Sequence, residues 1–240
     1  MKKLLFLYAL ITAFSCAESK EPNASKVQTP ALVDGRYNVG ILIMNGVFNT
    51  ELTAPYDIFQ HTQYREGIKA MNVFTVANTD MPIKTFEGMR ILPDYNYVTD
   101  SLPPIDILVV PSAEHHLDTD LQDTIMLNFV RMVDKKALYV TSHCDGAFVL
   151  AKSGVLDGHE STTFPGDIDA YRTMFPELKI RDGVYVVHDG KYITSSGGAR
   201  SFDGALYLCE LLYGKEVTER LAQGLVIDWS LDDLAYIHVK

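Results

Sequence analysis

Cys144 lies in the run Tyr139 to Gly154, Y-V-T-S-H-C-D-G-A-F-V-L-A-K-S-G, where a short β-prone segment over Ala137 to Thr141 gives way to a tight turn and an apolar helix from about Gly146. A strand-to-helix turn lifts the side chain at its apex off the sheet, and the free N–H groups at a helix start carry partial positive charge. That setting favours a thiolate, the nucleophilic form of cysteine. The same residues also fit a cysteine buried in a strand-to-helix connection. Other groups able to do chemistry follow strands in the same way: Glu51 after the first, His115 and His116 after a later one. His143 and Asp145 flank the cysteine directly.

The elements that position these residues are legible as patterns. Tyr37 to Met44, Y-N-V-G-I-L-I-M, is an almost continuously apolar run, as expected of a strand covered on both faces, and Asn45-Gly46 closes it. Pro55 suits the first turn of a helix, with Tyr56, Phe59 and Tyr64 on its apolar face, which leaves Glu51 in the loop or turn before it. In an open parallel sheet, ligands bind beyond the carboxyl ends of the strands. Glu51 is therefore either an active-site acid or a solvated loop carboxylate. Met71 to Ala77 reads as a strand, Ile83 to Leu92 as one or two short strands around Gly88, and Asp106 to Pro111 as the central strand. The last ends at Ser112-Ala113-Glu114-His115-His116. Those histidines could approach Cys144, although paired loop histidines are commonly solvated, and no third ligand accompanies them, so no metal site is assigned.

Asp120 to Val133 carries Leu121, Ile125, Phe129 and Met132 at spacings of four, four and three, an amphipathic helix. Past the elbow, Gly158 to Phe164, Val184 to His188 and Lys191 to Ser195 read as strands, the last two joined by an Asp189-Gly190 hairpin turn. Helices are predicted from about Ser201 to Tyr213 and over Glu216 to Gln223, with Asp203 stabilising the start of the first. Leu225 to Lys240 shows no usable pattern. Strand and helix alternating with tight loops predict a doubly wound, mostly parallel α/β sheet, one domain over 36–240.

The chain has 240 residues, 47% apolar and 22% charged, enough for one substantial core. A net charge of −10 without a basic run excludes nucleic acid as the main partner. Lys2 and Lys3 precede the apolar run Leu4 to Phe14, which is short for a bilayer span and shaped like an export signal over 1–15. Ala13-Phe14-Ser15-Cys16 resembles a bacterial lipobox with Ala13 where Leu is usual. Cys16 would then carry lipid, 16–35 would tether the domain to a membrane, and losing Lys2 and Lys3 would take the charge from −10 to −12. Two cysteines remain, and Cys209 falls in the apolar run Ala205 to Leu212, so a disulfide scaffold is not expected.

The order of motifs resembles the ThiJ/PfpI family of the class I glutamine amidotransferase-like superfamily, whose sheet is flavodoxin-like. Glu51, Ala54, Pro55, Asp57 and Phe59 stand where that family has an acidic residue before a G-P-x-D-x-F-like segment. Pro111-Ser112-Ala113 replaces Pro-Gly-Gly, and Cys144 to Phe148 matches C-T-G-A-F with Asp145 for Thr. Leu150 to Thr163 matches L-A-x-x-G-L-L-D-G and a Thr-Thr strand, and Thr194 to Leu208 the T-x-x-G-G strand and closing helix. The similarity spans about Tyr37 to Tyr213. Its wording is closest to the branch of isonitrile hydratases and the sensor domains of AraC-type regulators.

The resemblance implies Cys144 as nucleophile and Glu51 as its acidic neighbour. It also implies an oxyanion hole from the backbone N–H groups of Asp145 and Ala113 and a homodimer, and no cofactor is expected. Asp145, His115 and His116 become candidate substrate contacts. The family's peptidase-like branch has His after the nucleophile, whereas here His143 precedes it and should face the opposite side of the strand. The amidotransferase His-Pro-Glu is replaced by Thr163-Phe164-Pro165, which disfavours amidotransfer. The expected protein is an exported cysteine-dependent hydratase or hydrolase acting on a small molecule. The alternative is a non-catalytic protein of the same fold that binds a small ligand or senses redox or carbonyl stress.

Overall fold

The computed structural model describes residues 29–240. The segment read as an export signal, and Cys16, lie outside the described residues. Eight strands form the central sheet: β1 (Tyr37–Leu42), β2 (Met71–Ala77), β3 (Tyr95–Asn96), β4 (Ile107–Val110), β5 (Tyr139–His143), β6 (Val186–Asp189), β7 (Tyr192–Ser195) and β8 (Tyr236–Val239). Their spatial order is β8-β6-β7-β5-β4-β1-β2-β3, and every neighbouring pair is parallel except β6 with β7. This is a doubly wound, mostly parallel sheet of the flavodoxin-like, class I glutamine amidotransferase-like kind.

Helices cover both faces because the central strands are apolar on both. Along β1, Val39 and Ile41 point into one core layer and Leu42 into the other. The first layer packs against α1 (Asn49–His61), α5 (Arg200–Tyr213) and α6 (Lys215–Gly224) through Ile58, Phe59, Leu206 and Tyr207. The second holds α2 (Thr124–Asp134), α3 (Gly146–Lys152) and α4 (Ile168–Met174), with Phe129, Phe148 and Tyr171 at its centre.

Several elements differ from expectation. The first helix starts at Asn49, so Glu51 lies in its first turn and is buried, not in a loop, and Pro55 is inside the helix. The cap that allows the early start is remote: Phe48 makes no side-chain cap, but the Glu87 carboxylate accepts the Asn49 N–H at 3.0 Å. An anion on a helix N-terminus is favourable, and a cap of this kind contributes about 1 kcal/mol. Glu87 belongs to the small hairpin pairing Ile83–Lys84 with Arg90–Ile91, which also sets Phe86 against Phe48 with ring centroids 4.6 Å apart.

Of the strand expected over Gly158 to Phe164, only Glu160–Ser161 pairs, with Lys179–Ile180, and α4 follows where no helix is predicted. The amphipathic helix α2 begins at Thr124, capped by Asp123, and a short 3-10 turn over Thr119–Gln122 precedes it. The patternless tail contributes β8, an edge strand parallel to β6. The end of the stretch read as a tether is docked: the Val33 N–H and C=O both bond the Asn72 side-chain amide. Among the described residues, no helix is long and apolar enough to cross a membrane.

Candidate active site

Cys144 sits immediately past β5 with φ 53°, one of two non-glycine residues with positive φ among those described. That left-handed conformation costs an L-residue about 1–2 kcal/mol, so its surroundings must enforce it. Three contacts do. The Cys144 N–H donates to the Ser195 carbonyl at 2.9 Å, extending the β5–β7 ladder through the turn. Gly146 starts α3 so tightly against β4 that a Cβ there would lie 2.0 Å from the Val110 carbonyl oxygen. Gly197, at φ 76°, passes so close that its Cβ would lie 2.2 Å from the Cys144 Cβ. The Gly-Gly pair after β7 is therefore needed for close approach as well as for its turn.

The elbow is covered rather than open, with Cys144 only 7% exposed. Burial drives the thiol pKa strongly up, and the nearby charges of Asp145 and Glu51 push it the same way. The Asp145 backbone N–H points at the sulfur and pulls it down. The Ser112 hydroxyl, fully buried and without a well-formed hydrogen bond of its own, does likewise. Burial and both carboxylates therefore work against the thiolate that the helix start favours.

Two carboxylates bracket that thiol. Glu51, reaching in from α1, accepts the Gly198 N–H on Oε1 at 2.9 Å and so ties α1 to the glycine turn that closes over the cysteine. Asp145 is nearer in bonding terms: the thiol donates toward its Oδ2 at 3.6 Å, and the Thr163 hydroxyl donates to its Oδ1 at 2.9 Å. Burial first, and the Asp167 charge second, raise the Asp145 pKa to about 6. Thr163 and Asp167 do not stand out as functional residues in the sequence. The Thr-Thr pair carries only family likeness, and Asp167 lies in a Pro165-Gly166-Asp167 turn that resembles any surface turn.

The histidines divide. His115 is half exposed, 3.3 Å from Asp118 and 3.9 Å from Glu114. His116 is not solvated, as its loop position suggests, but fully buried, and its Nδ1 accepts the Ala113 N–H at 3.2 Å. Its proton is therefore on Nε2, 3.8 Å from the buried Asp120 Oδ2, and burial lowers its pKa to about 3, so the ring stays neutral. The Ala113 N–H assigned to an oxyanion hole is thus already engaged, and the Asp145 N–H remains directed at the sulfur. His143 lies on the opposite face, against Ser195 Oγ at 2.8 Å and the α5 glycine Gly204, away from the thiol. Among the described residues, no three His, Cys, Asp or Glu side chains gather as a metal site would require. Cys209 is buried in α5 as a free thiol.

Comparison with known proteins gives the family and the fold. The DJ-1/PfpI family pattern matches residues 37–211. An isonitrile hydratase of Pseudomonas putida is 28% identical over 184 residues, 75% of this chain and 74% of that protein. Among solved structures, a ThiJ/PfpI family protein from Pseudomonas syringae superposes with a TM-score of 0.71 at 21% identity, covering 86% of this chain and 84% of that one. An AraC family transcriptional regulator from Pseudomonas putida superposes at 0.65 and 16% identity, over 79% of this chain and 99% of the solved chain. At those identities the two structures speak to fold alone.

Proposed function

The chain belongs to the DJ-1/PfpI family, and from that premise we propose that it is a cysteine-dependent enzyme adding water to a small electrophilic molecule, with isonitriles the first class to test. The observation carrying this reading is Cys144 held at φ 53° by Gly146 and Gly197, with a backbone N–H and two carboxyl groups around its sulfur. Strain of that kind persists where the surroundings over-determine it, and it aims a nucleophile into a site. The relationship to the Pseudomonas putida isonitrile hydratase supports the substrate class. Glu51 holds the glycine turn over the sulfur and places a second carboxyl beside it, while the Asp145 N–H would meet charge developing on the substrate.

The test is turnover of a panel of isonitriles and aldehydes by the wild type and Cys144→Ser. Isonitrile hydration that falls to background in Cys144→Ser is expected. A second reading, a small-molecule or stress sensor, is favoured by the low exposure and raised pKa of the thiol. It predicts ligands that raise the melting temperature of both proteins with no turnover by either.

An N-terminal lipid anchor outside the cytoplasm and a homodimeric state are part of the same proposal. Lys2, Lys3, the run Leu4 to Phe14 and Cys16 support the anchor. Palmitate labelling in a bacterial host should disappear in Cys16→Ala, and labelling that persists would refute it.

A further inference from the structure

A thiol attacks carbon far less readily than a thiolate, so the groups that touch the Cys144 sulfur decide where its proton can go. Glu51, the acid implied by family likeness, has Oε1 committed to the Gly198 N–H. His143 faces Ser195 on the other side of the strand. His116 accepts the Ala113 N–H with one nitrogen and carries its proton on the other. Asp145 is the side chain to which the thiol donates, with 3.6 Å between Sγ and Oδ2. Its rotamer is fixed by the Thr163 hydroxyl, which is 2.9 Å from Oδ1 and 3.1 Å from the Cys144 carbonyl oxygen.

We infer that Asp145 is a catalytic residue of the reaction proposed above: its carboxylate takes the Cys144 proton as sulfur attacks, and the resulting acid returns that proton to the substrate. The inference rests on that proposed reaction. With an isonitrile, the S–H bond breaks to Oδ2, an S–C bond forms at the terminal carbon, and the Asp145 proton is delivered to the same carbon. The product is a thioimidate with a C=N bond, and nothing is oxidised or reduced. Water then adds to the thioimidate carbon, the C–S bond breaks, and an N-substituted formamide leaves. The thiol is restored by one of the protons that water brings, passed through Asp145.

The surroundings suit that role. Asp145 faces Cys144 on the elbow, Asp167 at the start of α4, Thr163, and His116 packed against its backbone, while Glu51 faces the sulfur from α1. Burial and Asp167 hold the Asp145 pKa at about 6, close to neutrality, where a general base is both ionised and basic enough to act. The branch that this chain resembles has Thr at this position, so the device follows from Asp145 itself.

The experiment is the alkylation rate of Cys144 by iodoacetamide as a function of pH in wild type and Asp145→Asn. Thiol and carboxyl share one proton over a wide range, so the wild-type rate should rise first near pH 6 and again at the alkaline end. Asp145→Asn should lose the first rise and react roughly 100-fold more slowly at neutral pH. A first rise that survives in Asp145→Asn overturns the inference. If Asp145→Asn does not fold, carbon NMR of aspartate-labelled wild type reads the same point. A carboxyl titrating near pH 6 should shift its midpoint when Cys144 is alkylated, and the absence of such a carboxyl is equally decisive. Alkylation needs no substrate, so failure here is distinct from failure of the isonitrile panel.

Discussion

Gly146→Ala is expected to abolish folding of the domain, or to cost more than about 4 kcal/mol, the exceptional range that severe overpacking of a core can reach. The Ala Cβ would lie 2.0 Å from the Val110 carbonyl oxygen, 2.9 Å from its carbon and 3.1 Å from the Pro111 oxygen. All three are backbone atoms of β4 and its exit, at the centre of the sheet, and none can rotate away as a side chain could. Relief requires α3 to move off the sheet. That helix is seven residues long and buried from Gly146 to Ala151, so moving it opens the layer around Phe148 and Tyr171 and releases the left-handed turn at Cys144. Gly154→Ala is the control. Its φ is 77°, but the nearest atom to its Cβ would be 3.5 Å away, so only the conformational penalty of about 1–2 kcal/mol applies. Urea unfolding of the two variants should separate them widely, and similar midpoints would show that the elbow is not held by the Gly146 approach.

What could be read from sequence follows from how local its cause is. β4 is covered on both faces and apolar throughout, and β1 and β2 are mostly so, which is why they stand out in the chain. Edge strand β8 alternates exposed and half-buried residues, and nothing in Leu225 to Lys240 distinguishes that from a polar tail. The start of α1, and with it the burial of Glu51, depends on a carboxylate 38 residues further on, beyond the reach of any local capping pattern. Cys144 as the apex of an elbow was legible, but the sign of its pKa shift was not. A helix end contributes about 0.3–1 kcal/mol, whereas burial can shift a titrating group by several pKa units. Burial is a property of the packed layers and outweighs the helix here. His116 shows the same limit: in the chain it is half of a histidine pair, and only the folded loop separates its fate from that of His115.

Asp145→Asn should stabilise the protein at alkaline and neutral pH and lose that advantage in acid. An aspartate that ordinarily titrates at 3.8 does so at about 6 in the folded state, so the native protein disfavours its charged form. Between those two values the native state binds more protons than the unfolded one, and stability falls as pH rises. The cost is absent below the unfolded value, grows through this window and is complete above about pH 6, where it amounts to roughly 3 kcal/mol for a carboxyl this buried. Asparagine carries no charge and keeps an Oδ1 to accept the Thr163 hydroxyl, so it removes the cost without removing the contact. Urea unfolding of both proteins on either side of pH 6 should show the variant ahead by about 2–3 kcal/mol on the alkaline side and the two converging on the acid side. A variant no more stable than wild type above pH 6 would mean that Asp145 is not held in the environment described. If the stability difference follows this course while the pH 6 rise in alkylation disappears, the same carboxylate is what the fold is destabilised by and what the thiol needs. Asp145 then belongs to the site for its reactivity, since the fold by itself would favour the uncharged side chain.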